Sequence, residues 1–267
     1  MTDSQPKEEH AEGKCLLEVS GLSLTIGGRD LLDDVSFTLP EGCFCSVIGP
    51  NGAGKTTLLK CLCRLHDRWQ GIVRVNGRDT HGMTQLELAR LFGYVPQVRD
   101  VPPAYEVEDF LKMSRFAAGH DDEQHIIDDA LECVGMTSFR HRMMDTLSGG
   151  EAQKVFIAAG IVQAAPVLLL DEPAAFLDPK YQLEVRSLLA YLNEERGMSI
   201  VCVTHDVNGA LASSRLLLAL NHGRVAFFCT PEDALKNHCL EELYGMEFDC
   251  LRNSSGQPVI VPVSHKR

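Results

Sequence analysis

The sequence predicts an α/β protein: a mostly parallel core sheet, an antiparallel β portion ahead of it, and an α-helical portion before the last core strands. Three observations carry that expectation. The front segment "LLEVSGLSLTIGGRDLLDDVSFTLPEG" alternates apolar and polar residues between glycine pairs, the pattern of antiparallel strands. The segments "VLLLD" and "SIVCVT" are near-continuous apolar runs between helical stretches, as parallel strands covered on both faces require. A glycine-rich loop, "GPNGAGKTT", joins a short apolar run to a helical pattern.

The elements follow in order. "CFCSVIG" reads as a short buried strand, "TTLLKCLCRL" has helical spacing, and "GIVRVNG" is another short strand. "TQLELARL" opens with Thr84 and Glu87 at capping-box spacing. Residues 106–145 read as helical. Within them Ile126, Ile127, Ala130, Leu131 and Val134 form one apolar face, acidic residues fill the first turn, and Gly135 suits the end. Helix, strand, helix, strand and helix follow. There is no internal repeat and no low-complexity linker.

Composition bounds the function. The 267 residues are 45% hydrophobic, enough for one substantial domain without staples. A formal net charge of −12 argues against a protein whose task is gripping a nucleic-acid backbone. The polar start "MTDSQPKEEHAEGK" has no apolar leader and reads as a disordered tail over residues 1–14. Ten cysteines without a leader suggest free thiols in a reducing cytosol. The longest apolar stretch, Ile157 to Leu170, is broken by Gln163 and Pro166. It falls short of the roughly 20 residues that span a bilayer, so a membrane role needs a separate membrane partner.

"GPNGAGKTT" runs through Gly49, Pro50, Asn51, Gly52, Ala53, Gly54, Lys55, Thr56 and Thr57. The glycines let successive backbone N–H groups face inward, and the following helix N-terminus adds partial positive charge. Lys55 is placed for β- and γ-phosphates, Thr56 for Mg2+, and Thr57 for the α-phosphate. "VLLLDEP" ends in two carboxylates, Asp171 and Glu172. Alternation turns them in different directions, Asp171 to support Mg2+ and Glu172 to face an attacking water. Alone, the pair is also an acidic turn at a strand end; beside an intact phosphate loop the catalytic reading takes over.

"LSGGE" contributes Ser148, Gly149, Gly150 and Glu151. Ser148 and Glu151 have capping-box spacing ahead of "EAQKVFIAAGIV", so Ser148 is the expected N-cap. By itself the pentapeptide is equally an ordinary helix start and a lysine-free anion cradle with bare amides.

The ordered set "GPNGAGKTT", "GYVPQ", "LSGGE", "VLLLDEP", "FLDP" and "VTHD" resembles the nucleotide-binding subunit of an ATP-binding cassette (ABC) transporter, over roughly residues 15–262. The resemblance implies a P-loop cassette with a RecA-like core sheet. It also implies a homodimer in which each signature segment, Ser148 to Glu151, closes on the γ-phosphate of ATP held by the other copy. By the same resemblance Gln97 touches Mg2+ and the attacking water, and His205 is the switch histidine near the γ-phosphate. Asp178 is the loop residue at the dimer interface. Without the other motifs, His205 would read as a packed histidine at a strand end. The cassette is expected over 15–244, its helical portion over about 98–150, and a C-terminal extension over 245–267.

Departures from the family pattern fall elsewhere. Ile26 stands where an aromatic commonly stacks on adenine, with Arg29 nearby. "AQK" follows "LSGGE" where "RQR" is usual, and "AA" follows "DEP" where a hydroxyl is usual. None touches Lys55, Asp171, Glu172 or His205, so hydrolysis is expected.

The regions after Gln97, around "HDVNGALASSRLLLALNHGRVAFFCTPEDAL" and at the C-terminus resemble importers of iron-siderophore complexes, haem or cobalamin. The implied partners are transmembrane permease subunits and, indirectly, a periplasmic or extracellular substrate-binding protein. The implied location is peripheral, on the cytoplasmic face of the inner membrane. Zinc, manganese or molybdate import is the alternative within the family, and a soluble ATPase acting on nucleic acid or ribosomes the alternative outside it. The long insertions or second cassette usual in that soluble class are missing here.

Cys43, Cys45, Cys61 and Cys63 flank the phosphate loop but lack zinc spacing and read as buried thiols. His120, His125 and their carboxylate neighbours read as a solvated acidic helix start, and "FRHRMM" as a solvated loop.

Overall fold

The computed structural model describes residues 14–97, 105–119 and 121–263. Residues 1–13 of the tail expected over 1–14, residues 98–104 of the expected helical portion, His120, and residues 264–267 of the expected extension lie outside the described residues.

β1 (Cys15–Ile26) and β2 (Arg29–Pro40) form a hairpin turning at Gly27 and Gly28, both left-handed (φ 59 and 75). β3 (Phe44–Ile48) leads through the glycine loop into α1 (Lys55–Leu62). β4 (Gln70–Val75) and β5 (Arg78–Asp79) complete an antiparallel sheet of order β2-β1-β4-β5. α2 (Gln85–Ala89) starts at a formed Thr84–Glu87 capping box, and β6 (Phe92–Val95) follows.

The helical portion holds α3 (Val107–Ser114), α4 (Glu123–Cys133) and the start of α5 (Gly149–Val162), with two short 3-10 turns between α4 and α5. The helical reading of 106–145 is therefore too generous. After α3 the buried Arg115 turns inward, donating to the carbonyls of Val162 (2.9 Å) and Asp121 (3.0 Å). An antiparallel bridge between Glu106 and Met143 closes the segment. The predicted apolar face of α4 is real: Ile127, Ala130, Leu131 and Val134 are buried and Ile126 packs at the edge.

β7 (Val167–Asp171), α6 (Pro179–Glu194), β8 (Ser199–Val203), α7 (Val207–Ser213) and β9 (Leu216–Asn221) alternate as expected. β10 (Arg224–Cys229) returns antiparallel, giving a core sheet of order β10-β9-β3-β8-β7-β6, parallel apart from β10. α8 (Pro231–Lys236), α9 (Cys239–Tyr244) and the hairpin of β11 (Phe248–Arg252) and β12 (Pro258–Pro262) end the described chain. The hairpin docks on α7, where Asn208 exchanges two hydrogen bonds with the Ile260 backbone (3.1 and 2.8 Å).

Strand alternation explains the near-continuous apolar runs. Val167, Leu169, Val201 and Val203 join α1 and the antiparallel sheet in one core. Leu168, Leu170, Ile200 and Cys202 face α3 to α6 in a second. Both faces of the parallel strands are covered, so polar residues would be costly on either. The carboxyl ends of β3, β6, β7 and β8 then lie along one edge, where ligands of open α/β sheets bind.

Candidate functional site

Each of those four strands delivers one part of the site just past its end: the phosphate loop after β3, Gln97 after β6, Asp171 and Glu172 at β7, and His205 after β8. Gly49 has φ 142, and a Cβ on it would lie 2.1 Å from the Leu220 carbonyl oxygen, so only glycine fits beside β9. Gly54 (φ 103) is the N-cap of α1 and offers no side-chain cap. The first amides of α1 are thus left for an external acceptor.

Lys55 is 5% exposed, and its Nζ donates to the carbonyls of Gly49 (2.8 Å) and Pro50 (3.0 Å). Burial lowers its pKa, while the carboxylates of Glu172 and Asp171 work against that. Thr56 Oγ1 donates to Asp171 Oδ1 at 2.8 Å, and the Tyr94 hydroxyl donates to Oδ2 at 3.5 Å. Asp171 is 3% exposed, and desolvation raises its pKa. A buried carboxylate next to a hydroxyl, both hard oxygen donors, fits a magnesium ion and does not fit a soft metal.

Glu172 lies just beyond β7 with φ 52, a left-handed conformation that costs a non-glycine residue about 1–2 kcal/mol. Its N–H is held by the Val203 carbonyl at 3.0 Å. This backbone turn, and not simple strand alternation, separates its carboxylate from that of Asp171. Gln97 Nε2 donates to Glu172 Oε2 at 2.9 Å, and His205 Nε2 lies 2.6 Å from Oε1. The carboxylate is therefore gripped at both oxygens.

A cavity of about 460 Å³ opens over Lys55, bordered by Asn51 to Thr57, Glu172 and His205. A second, of about 730 Å³, shares Asn51, Glu172 and His205 and adds Gln97 and Phe176. Ile26 ends β1, is 46% exposed and borders neither. Arg29, Asp30, Leu31, His222 and Gly223 do border the first. Of these, sequence reasoning pointed only to Arg29. The Gly223 N–H donates to Ala53 (3.1 Å) and its carbonyl accepts from Asp33 (2.8 Å), so the β9–β10 turn stitches the phosphate loop to β2. The "NHG" turn signal was visible, but not that it would land here.

Ser148 is the N-cap of α5, with its capping box to Glu151 formed: Ser148 N–H donates to Glu151 Oε2 at 2.8 Å and the Glu151 N–H to Ser148 Oγ at 3.4 Å. Gly149 is exposed with open space around its Cβ position, whereas Gly150 is buried. None of Ser148 to Glu151 borders either cavity. Asp178 caps α6, its Oδ1 accepting from the Tyr181 N–H at 3.0 Å. Cys43, Cys45, Cys61 and Cys63 are buried thiols, and burial pushes Cys61 and Cys63 up to about 12.

A glycine-rich loop with a buried lysine, facing a carboxylate held at both oxygens, suits a nucleoside triphosphate. The ABC transporter family model matches residues 32–175. The chain is 34% identical over 237 residues to the iron(3+)-hydroxamate import ATP-binding protein FhuC of Bacillus subtilis, covering 86% of this chain and 88% of that one. It resembles a solved metal-chelate type ABC transporter in an inward-facing conformation, with 28% identity, a TM-score of 0.79 and coverage of 94% and 98%. A dimeric ATP-binding cassette in a post-hydrolysis state with ADP and phosphate is 25% identical, with a TM-score of 0.68 and coverage of 81% and 99%. The chain belongs to the ABC transporter family, as an ATP-binding, ATP-hydrolysing subunit.

Proposed function

We propose that this subunit drives an importer of an iron-siderophore, haem or cobalamin chelate by binding ATP between two head-to-tail copies. One observation carries the reading: Lys55, Glu172 and His205 border the same cavity, with the Thr56–Asp171 pair beside it. Lys55 and the amides of Gly49 to Thr57 bind the phosphates. Thr56 and Asp171 would hold Mg2+, with Gln97 beside them, and the ion would neutralise charge on the β- and γ-phosphates. Gln97 and His205 fix the two oxygens of Glu172, whose carboxylate takes the proton of the attacking water.

Ser148, Gly149, Gly150 and Glu151 of the second copy close on the γ-phosphate, and Asp178 lies at that interface. That these residues line neither cavity of their own chain supports this, as does the likeness to a dimeric cassette with ADP and phosphate. Among the described residues no helix is long and apolar enough to cross a membrane. The likeness to import ATP-binding proteins supports separate permease subunits at the cytoplasmic membrane face, with a substrate-binding protein reached only through them. The likeness to FhuC and to the metal-chelate structure supports the cargo class.

Replacing Glu172 with Gln should lower turnover by roughly 10² to 10⁴, the usual worth of a catalytic base. It should also leave an ATP-bound dimer long-lived in size-exclusion chromatography. Normal turnover would remove Glu172 from the mechanism.

A further inference from the structure

The second signature glycine has a neighbour that its motif does not call for. A Cβ built on Gly150 would lie 2.5 Å from Tyr181 Cδ1, 2.7 Å from Cγ and 2.8 Å from Cε1. A Cβ on Gly149 would meet nothing within 4 Å. Gly150 is therefore bare to admit an aromatic ring from its own chain, whereas Gly149 is bare toward open space. Two lysine ammonium groups also lie near that ring. The Lys154 ammonium, from α5, lies 5.6 Å from its centroid, and the Lys180 ammonium lies 5.9 Å from it. Lys154 is ion-paired to Glu184 one turn along α6. The Tyr181 backbone N–H is itself held by Asp178.

We propose that Tyr181 is a positioning residue: its ring, wedged on the Gly150 backbone, locks the start of α5 to the start of α6. The lock sets where the signature amides point and moves them together with Asp178. It rests on the reading that these two segments meet the second copy. Because the contact is made by ring carbons, the hydroxyl is dispensable and Phe should serve. Ala should not, since it leaves the α5 start free to shift by a fraction of an ångström at a site where placement controls rate.

Four variants test this, each assayed for kcat, KM for Mg-ATP and Tm. Y181F should match the wild type. Y181A should lose about tenfold in kcat with KM within about twofold, since its own phosphate loop is untouched. G150A should lose about tenfold or more by overpacking against the ring, and the double variant Y181A/G150A should return to the Y181A level. If G150A alone does not fold, the double variant should fold, which is the same coupling read in Tm.

A G150A enzyme at wild-type rate overturns the proposal, as does a double variant whose losses simply multiply. Coupling in Tm with an unchanged Y181A kcat would leave only a packing contact and equally overturn it. Failure of the paired-copy reading is separable: wild-type specific activity would then ignore protein concentration, while the Tm coupling of the pair would persist.

Discussion

Asp171 carries two opposed demands at a single residue. Its carboxylate must be buried to reach Thr56 at the base of α1, and burial disfavours the charge that magnesium binding needs. Desolvation first, then the Glu172 charge, lifts its pKa, while the hydroxyls of Thr56 and Tyr94 pull it down. A carboxyl that holds its proton more tightly folded than unfolded contributes stability at low pH. That contribution is lost as pH rises from the unfolded value through the folded one. The nucleotide-free Asp171→Asn variant should accordingly melt above the wild type at pH 7, and the two should converge near pH 4 and below, about the unfolded value. Added Mg-ATP should raise the Tm of the wild type much more than that of the variant. Thermal melts across pH, with and without nucleotide, check both statements. The phosphate loop was legible because residue type and spacing define it locally, whereas the Asp171–Glu172 pair was legible only beside that loop. The left-handed Glu172 was not, because its turn is held by the Val203 carbonyl of a different strand.

At the scale of elements, helix starts were the most readable feature. The capping boxes at Thr84–Glu87 and Ser148–Glu151 both form, since three residues of spacing suffice to define them. Glu151 is held below its usual pKa by the Ser148 N–H and then the Ser148 hydroxyl. That stabilisation is present above the unfolded pKa and is lost as pH falls through the folded one. Ser148→Ala should cost about 1 kcal/mol of stability at pH 7, and the deficit should shrink in acid. Urea denaturation at the two pH values measures it. The stretch 106–145 was misread because Arg115 looks like a surface helix residue in sequence. Its burial against Val162 and Asp121 carbonyls depends on α5, which is distant in the chain. β6, with only four residues, is too short for periodicity to register. The role of Gly150 in seating Tyr181 was equally hidden, since helix spacing says nothing about which foreign side chain lands on a glycine.

On the proposed function, each chain supplies half of a composite site. One chain gathers Lys55, Thr56, Asp171, Glu172, Gln97 and His205 at the carboxyl ends of four neighbouring strands, while its own signature segment borders neither cavity. A net charge of −12 suits a protein that binds a nucleotide better than one that grips a polynucleotide. On the proposed function, hydrolysis belongs to the pair of copies. The direct measurement is specific ATPase activity as a function of subunit concentration, with mass followed by sedimentation under the same conditions. Activity per subunit should rise with concentration and level off as the species with Mg-ATP doubles from 29.4 kDa. Constant activity per subunit, down to concentrations where only monomers sediment, would place hydrolysis in the single chain.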